Sequence, residues 1–190
     1  MKSILFLSIC FLVKFFARAQ GTLIYDQGSQ NLIEGSAPWS SSYQPMGQSF
    51  TPLLSALGFI QLNVYDADVL NTSGSTLLVN IRANSITGTV LGQSAAISIP
   101  DGFSGIATFL FSTPVMLTPG TVYYIQPVQS GDNVASYVTD SYAGGAEILQ
   151  GSPIVTRDLW FREGIVPEPS SASLLVIGAG ILFRRLRSRK

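Results

Sequence analysis

The sequence predicts an all-β fold: a single β-sandwich, jelly-roll-like, flanked by an N-terminal signal peptide and a C-terminal apolar helix. Short runs rich in β-branched and aromatic residues alternate with clusters of Gly, Pro, Asn, Asp and Ser, and no run between the two ends sustains a helical period. About ten such runs follow one another at spacings of roughly eight to twelve residues, which is typical of a two-sheet sandwich. The lack of a Cys-Trp-Cys pattern favours a jelly roll over an immunoglobulin arrangement, and a closed barrel is the alternative.

Two runs show the alternation of a half-buried strand most clearly. In runs 60–64 and 77–82, apolar residues occupy every second position, so one face of each strand is expected to face a core. Turns such as Pro119-Gly120 and Asp101-Gly102 separate several strands. Further strands are expected at 22–25, 48–51, 89–91, 96–99, 106–111, 122–127, 135–138, 147–149 and 159–162.

Residues 1–19 have the pattern of a secretory signal peptide. Lys2 precedes an apolar stretch over residues 4–13, and the small-residue pattern Ala17-Arg18-Ala19 follows. We therefore expect the export machinery to recognise this segment and a peptidase to cleave after Ala19. An uncleaved anchor is the alternative, but the apolar stretch is shorter than the roughly 20 residues that a membrane span needs.

Residues 165–190 combine three elements in a fixed order. Pro167-Glu168-Pro169 keeps the backbone extended and without helical hydrogen bonds, so this peptide is accessible to a protease. An apolar segment over residues 172–183 follows and is expected to enter the inner membrane as a helix. A basic cluster then closes the chain and is expected to stay on the cytoplasmic side. This cluster consists of Arg184, Arg185, Arg187, Arg189 and Lys190.

Together these three elements resemble the PEP-CTERM sorting signal of Gram-negative bacteria. The resemblance implies that an exosortase, an integral membrane protease, removes the tail in bacteria that commonly make extracellular polysaccharide. An ordinary C-terminal membrane helix is the alternative, but it has no need of Pro-Glu-Pro. The body, residues 20–164, resembles more loosely the β-sandwich domains found in front of such tails, which generally lack an assigned activity. The motifs that carry this second likeness include Gln48-Ser49-Phe50-Thr51, Tyr142-Ala143-Gly144-Gly145 and Asp158-Leu159-Trp160-Phe161.

The composition of the body excludes several classes of function. Between residues 20 and 166, three arginines stand against ten carboxylates, a formal charge of −7. Such a body would repel a nucleic-acid backbone, so we expect no nucleic-acid partner. The chain has no histidine and its one cysteine, Cys10, lies in the leading apolar run. The body is therefore expected to hold no Ser-His-Asp, Cys-His or ordinary zinc site, and we expect no enzyme.

Asp66 and Asp68 are candidate calcium ligands. They are followed by Asn71, Thr72, Ser73 and Gly74, so hard oxygen donors cluster on a loop directly after a strand. The loop has neither the glycine at position six nor the glutamate at position twelve of an EF-hand. The alternative is that these acidic residues only shape and solvate a turn. No other cofactor is expected.

Four aromatic residues are candidates for stacking on sugar rings. Trp39 and Tyr43 lie in a Ser/Pro-rich loop, and Tyr137 and Tyr142 flank the polar stretch 139–141. A flat aromatic ring beside carboxylates suits a carbohydrate ligand. The alternative is that these side chains cap one end of the sandwich with their polar tips in water.

The carboxylates of the body allow a third hypothesis. A glycosidase needs two of them at about 5 to 9 Å, but no spacing in the sequence singles out a pair. The candidates are Asp66, Asp140, Glu147, Asp158 and Glu163. Arg157, Asp158 and Arg162 near Trp160 are expected to form an ion-pair cluster that closes the fold.

Three functions are therefore carried forward. The first is a non-enzymatic bacterial protein of the cell surface or extracellular matrix, anchored through its C-terminal segment until an exosortase processes it. The second is a carbohydrate-binding module for exopolysaccharide, which predicts a row of exposed aromatic rings on one sheet face. The third is a carboxylate-based glycoside hydrolase, which predicts two acids in a cleft.

Overall fold

The computed structural model describes residues 22–29, 33–39 and 41–167. Within these ranges the chain is all-β, with a 3-10 turn at Ser41–Tyr43 and no helix long and apolar enough to cross a membrane. Residues Ile24–Ile165 form one compact unit. The predicted signal peptide with its cleavage residues Ala17 and Ala19 lies outside the described residues. So do Glu168, Pro169, the apolar segment and the terminal basic cluster.

In the described part of the chain, fourteen strands, all paired antiparallel, form two sheets. The first sheet contains β1 (Ile24–Gly28), β2 (Gly35–Pro38), β4 (Ala56–Asp66), β8 (Ser104–Met116), β10 (Val134–Thr139), β13 (Asp158–Leu159) and β14 (Phe161–Ile165). The second contains β3 (Gly47–Phe50), β5 (Ser75–Ala83), β6 (Val90–Gln93), β7 (Ile97–Ile99), β9 (Tyr123–Gly131), β11 (Glu147–Leu149) and β12 (Ser152–Ile154).

Strand β4 organises the first sheet. Its whole length pairs with β8 on one side. On the other side, β14 and β10 pair with successive segments of β4, and β1 and β2 in turn pair with β14 and β10. The second sheet runs β12, β11, β3, β9, β5, with β6 and β7 side by side on the far edge of β5.

The hydrophobic core lies between the two sheets and confirms the predicted β-sandwich. Ile60, Leu62 and Val64 of β4 and Leu77, Val79 and Ile81 of β5 are fully buried in a single cluster. These are the alternating positions that the sequence predicts for the core faces of both strands. Apolar burial of this kind contributes roughly 25 cal/mol per Å² and is the main force that holds the sheets together.

Two short strands, β2 and β12, are absent from the sequence prediction. Their sequences, GSAP and SPI, contain proline, and Ile154 is the only aromatic or β-branched residue in either. Both pair on only one side, β2 with β10 and β12 with β11, and proline is tolerated on such edges. The predicted strand 159–162 is divided at Trp160, whose backbone N–H donates to the carbonyl of Tyr137 at 2.8 Å.

Candidate functional site

The outer face of the first sheet carries a band of aromatic and polar side chains. Because side chains alternate along β4, burial of Ile60, Leu62 and Val64 sends Gln61 and Tyr65 to the opposite face. The same alternation turns Tyr137 of β10 and Arg162 of β14 outward, since their neighbours Val138 and Phe161 lie in the core. We call this surface the outer aromatic face. Its members are Tyr25, Gln61, Asn63, Tyr65, Ser104, Thr108, Tyr137, Trp160 and Arg162.

Tyr65 and Tyr137 form one half of the outer aromatic face. Their ring centroids are 4.9 Å apart and the rings are tilted by 38°. The register pairs Tyr65 with Ala135, so Tyr137 is its diagonal neighbour, a spacing that aromatic side chains can bridge. The Tyr137 hydroxyl lies 3.3 Å from the Ser104 hydroxyl across β4. The pair is half-buried and places two ring faces with polar tips side by side.

Arg162 organises the other half. Its guanidinium carbon lies 4.8 Å from the centroid of the Trp160 ring and 5.6 Å from that of Tyr25. Both distances are within the range of a cation–π interaction. Tyr25 is 50% exposed and meets the buried Phe59 edge to face at 5.5 Å. This arrangement holds a planar cation beside an accessible aromatic ring.

An amide side chain lies between the two halves. In the strand register, Gln61 lies opposite Arg162 of β14 on one side and Thr108 of β8 on the other. Its Nε2 donates to the Thr108 hydroxyl at 3.1 Å. Asn63, two residues further along β4, lies on the same face and is half-buried. Gln61 and Trp160 are buried within the band, so its accessible groups are the rings of Tyr25, Tyr65 and Tyr137 with the neighbouring Asn63 amide and hydroxyls. Such groups bind the apolar faces and hydroxyls of sugars.

Of the four aromatic residues expected to contact carbohydrate, only Tyr137 lies on the outer aromatic face. The prediction that Trp39 is exposed is wrong. Only 1% of the residue is accessible to solvent, and its Nε1 donates to the Ser136 hydroxyl at 2.9 Å. Tyr142 is half-buried, and its hydroxyl receives the N–H of Thr51 at 3.0 Å while its ring meets Phe161 edge to face. Tyr43 is 39% exposed, but it lines a separate cleft of about 420 Å³ with Leu149.

The sequence prediction missed Tyr25, Tyr65 and Arg162. Tyr65 continues the outward series of β4 after Gln61 and Asn63, so the alternation already contained the signal that places it there. For Tyr25 and Arg162 the sequence has no such signal. Their meeting depends on the pairing of β1, the first strand, with β14, the last.

Three of the five candidate catalytic carboxylates, Asp66, Glu147 and Asp158, are engaged in structural contacts. Glu147 is 0% exposed and forms a two-pronged ion pair with Arg157, whose Nη2 to Oε1 distance is 3.0 Å. Asp158 accepts hydrogen bonds from Gln48 Nε2 at 2.8 Å and from the N–H of Tyr142 at 3.0 Å. Burial raises the pKa of Asp158 despite these donors.

The expected ion-pair cluster of Arg157, Asp158 and Arg162 is therefore wrong. Arg157 pairs with Glu147, Asp158 with Gln48, and Arg162 lies on the outer aromatic face. The physical reason is that two members have other partners: the buried Glu147 carboxylate binds the Arg157 guanidinium, and Asp158 is directed to Gln48 of the other sheet. Closure of the fold depends instead on Asp158, which joins β13 to β3 through Gln48.

Asp66 and Asp68 hold turns of their own loop. The two Asp66 oxygens accept the N–H groups of Gly102 at 2.8 Å and Asp68 at 3.0 Å, and these hydrogen bonds lower the pKa of Asp66. Asp68 in turn accepts the N–H of Leu70. No three His, Cys, Asp or Glu side chains in the described ranges are arranged to hold a metal ion. The loop geometry thus matches the turn-forming alternative.

Fold and surface together describe a β-sandwich of two antiparallel sheets with an aromatic and polar outer face. No protein-family model matches the chain, and no curated protein matches it. The class of protein is therefore inferred from the fold and from the residues of the outer aromatic face.

Proposed function

We propose that the chain is a non-enzymatic bacterial protein of the cell surface or extracellular matrix. The export machinery would recognise residues 1–19, and the C-terminal segment would hold the chain in the inner membrane until an exosortase removes it. The observation that carries this proposal is the order Pro167-Glu168-Pro169, apolar segment and terminal basic cluster. A plain anchor requires the last two elements but not the first.

The jelly-roll arrangement of the body is part of the proposal. Its support is the order in which the strands lie side by side. In the first sheet β1, β14, β4 and β8 are successive neighbours, and in the second sheet β3, β9, β5 and β6 are successive neighbours. Successive long strands therefore alternate between sheets, and the first strand lies beside the last. Eight strands in two such sheets correspond to the double Greek key of a jelly roll.

The assignment as a non-enzyme is supported by what the acidic residues do. Glu147 neutralises Arg157, Asp158 orders the Tyr142 loop, and Asp66 holds two backbone turns. Each group acts as a fixed hydrogen-bond or charge partner within the fold. A hydrolase would need two of them directed at a shared substrate atom.

Changing Pro167-Glu168-Pro169 to three alanines is expected to prevent removal of the tail. In the native host, the unchanged protein should lose the mass of the C-terminal segment and reach the surface or medium. The variant should keep its full mass and remain with the inner membrane. Intact mass and cell fractionation measure both. Replacing Gly178 by alanine within the apolar segment is a matched control and should not prevent processing. Equal processing of the triple-alanine variant would contradict the sorting proposal.

A second candidate function is the binding of extracellular polysaccharide by the outer aromatic face. The observation that favours it is the two adjacent rings of Tyr65 and Tyr137, next to Gln61 and the Arg162–Tyr25 stack. Sugar rings present apolar C–H faces to such rings and hydroxyls to the amides and guanidinium. This function is compatible with the first, because a matrix protein must contact the matrix.

Replacing both Tyr65 and Tyr137 by alanine is expected to weaken binding to the host's purified extracellular polysaccharide about tenfold or more. Removing both rings takes away apolar contact surface, which contributes roughly 25 cal/mol per Å² buried, and a loss of about 1.4 kcal/mol in binding free energy is a factor of ten. Affinity electrophoresis measures the change. Tyr43→Ala is the matched control, since Tyr43 is exposed at another site. Phenylalanine at both positions keeps the rings and should retain binding. Equal losses in the control, or no binding by the unchanged protein, would contradict this function.

A further inference from the structure

The pairing of the first and last strands contains a β-bulge. Tyr25 pairs with Gly164 and Gly28 with Arg162, so Asp26 and Gln27 together oppose the single residue Glu163. Bulges redirect side chains, and they are frequent at functional positions. Tyr25 faces outward on β1, and the following residue, Asp26, is directed to the inner side where Glu163 lies.

Glu163 lies between the sheets and is completely buried. It pairs with Ile60 and follows Phe161 by two residues, and both of those side chains belong to the core. Neither of its carboxyl oxygens has a hydrogen-bond partner of good geometry, although the backbone N–H of Gln27 and the carboxyl group of Asp26 lie close enough to influence its pKa. The charge that acts on it is that of another carboxyl group, Asp26. A buried carboxylate in such surroundings needs a proton or a cation.

Asp26 provides the second half of this arrangement. Its Oδ2 accepts the N–H groups of Leu53 and Leu54, both at 2.8 Å, which fixes the carboxylate in place. Its side chain is only half-buried, so the pair borders solvent on this side. A small cation would have a path of entry past Asp26.

We propose that Asp26 and Glu163 bind a divalent cation, most suitably Ca²⁺, between the first and last strands of the sandwich. Carboxylate oxygens are hard ligands that suit Ca²⁺, whereas zinc prefers the nitrogen and sulfur ligands that this body lacks. No third acidic, His or Cys side chain joins the pair within the described ranges, so backbone carbonyls and water would complete the shell. The site is separate from the Asp66–Asp68 loop, where both Asp66 oxygens accept backbone N–H groups and no buried carboxylate is left without a hydrogen-bond partner.

Cation binding would also fix the positions of two side chains of the outer aromatic face, Tyr25 and Arg162. The bulge that carries Asp26 also carries Tyr25 on its outer side, and Glu163 adjoins Arg162. A cation that joins β1 to β14 would therefore fix the relative positions of the two residues that stack on the outer face. This inference stands independently of tail processing and of polysaccharide binding.

Calcium is expected to raise the melting temperature of the purified protein by about 5 to 10 °C at a hundredfold excess over its dissociation constant, compared with the protein in EDTA. Glu163→Gln and Asp26→Asn should each remove this response. The matched controls Asp66→Asn and Asp68→Asn should retain it. Calorimetric titration with CaCl2 should show one ion per chain.

A second measurement needs no variant. Terbium is a luminescent substitute for calcium, and Tyr142, which lies close enough to sense the charges of Glu163 and Asp26, is expected to sensitise it. Calcium should then quench that luminescence by displacement. The proposal is overturned if CaCl2 changes neither the melting temperature nor the terbium signal, which would leave a shared proton as the sole partner of Glu163. It is also overturned if the response disappears in Asp68→Asn and persists in Glu163→Gln.

Discussion

With a chelator present, the unchanged protein is expected to lose stability as the pH rises from about 4.5 to about 8, and Glu163→Gln is expected to remove most of that loss. Burial, first, and the nearby carboxylate of Asp26, second, raise the pKa of Glu163 from 4.5 to about 8. The other titratable group that faces Glu163 is Tyr142, from the loop after β10, whose own pKa is raised by its burial. Neither residue offers Glu163 a positive charge.

The sign of the effect follows from proton binding. Above pH 4.5 the unfolded chain releases the Glu163 proton, whereas the folded chain retains it until about pH 8. The folded state therefore holds more protons in this window, and the free energy of unfolding falls as the pH rises through it. The window spans about 3.5 pH units at about 1.4 kcal/mol each, so the total loss is about 5 kcal/mol. Glutamine has no proton to release and keeps the shape of the side chain.

Urea denaturation at intervals between pH 4 and pH 9 measures this difference. The unchanged protein should lose stability progressively, and the loss should be clearly smaller in Glu163→Gln over the same range. Glu34→Gln is a matched control because Glu34 is exposed, and its profile should follow that of the unchanged protein. A flat profile for the unchanged protein, or an unaltered slope in Glu163→Gln, would refute the account of Glu163 as a buried, proton-holding carboxyl group.

Arg157→Met is expected to destabilise the fold by roughly 2 to 3 kcal/mol. Glu147 is 0% exposed, and its two oxygens both bind the Arg157 guanidinium. Removing the arginine leaves a buried carboxylate without its partner, which typically costs about 3 to 5 kcal/mol when both groups are fully buried. The lower figure applies here because the Arg157 side chain is 35% exposed and water can partly replace it.

The double variant Arg157→Met with Glu147→Gln tests the cause. Because it removes the unpaired charge together with its partner, it should recover a large part of the lost stability. Arg82→Met is a matched control, since Arg82 donates to Gln126 and to the Gly88 carbonyl, both at 2.6 Å, and pairs with no carboxylate in those contacts. Urea denaturation at pH 7 should rank Arg157→Met as the less stable of the two single variants. A smaller loss for Arg157→Met than for Arg82→Met would contradict the role of the ion pair.

The sequence by itself determined the all-β class, the core faces of the two clearest strands and most of the strand positions. These properties depend on local alternation and on turn residues, which act over a few neighbouring positions. The alternation that buries Ile60, Leu62 and Val64 also directs Tyr65 outward, so even part of the outer aromatic face was encoded locally. Trp39 was misplaced because its burial depends on Ser136, a residue far along the chain.

Only the tertiary structure decided which remote segments meet. Strands β2 and β12 exist because β10 and β11 offer them backbone partners, and their own sequences have no strand pattern. The Arg162–Tyr25 stack and the Asp26–Glu163 pair both depend on β1 lying beside β14. Glu163 and Glu147 look alike in sequence, yet one faces a carboxylate and the other an arginine. The physical reason is that strand pairing joins residues by position in the sheet, and a single sequence contains no local signal for such long-range neighbours.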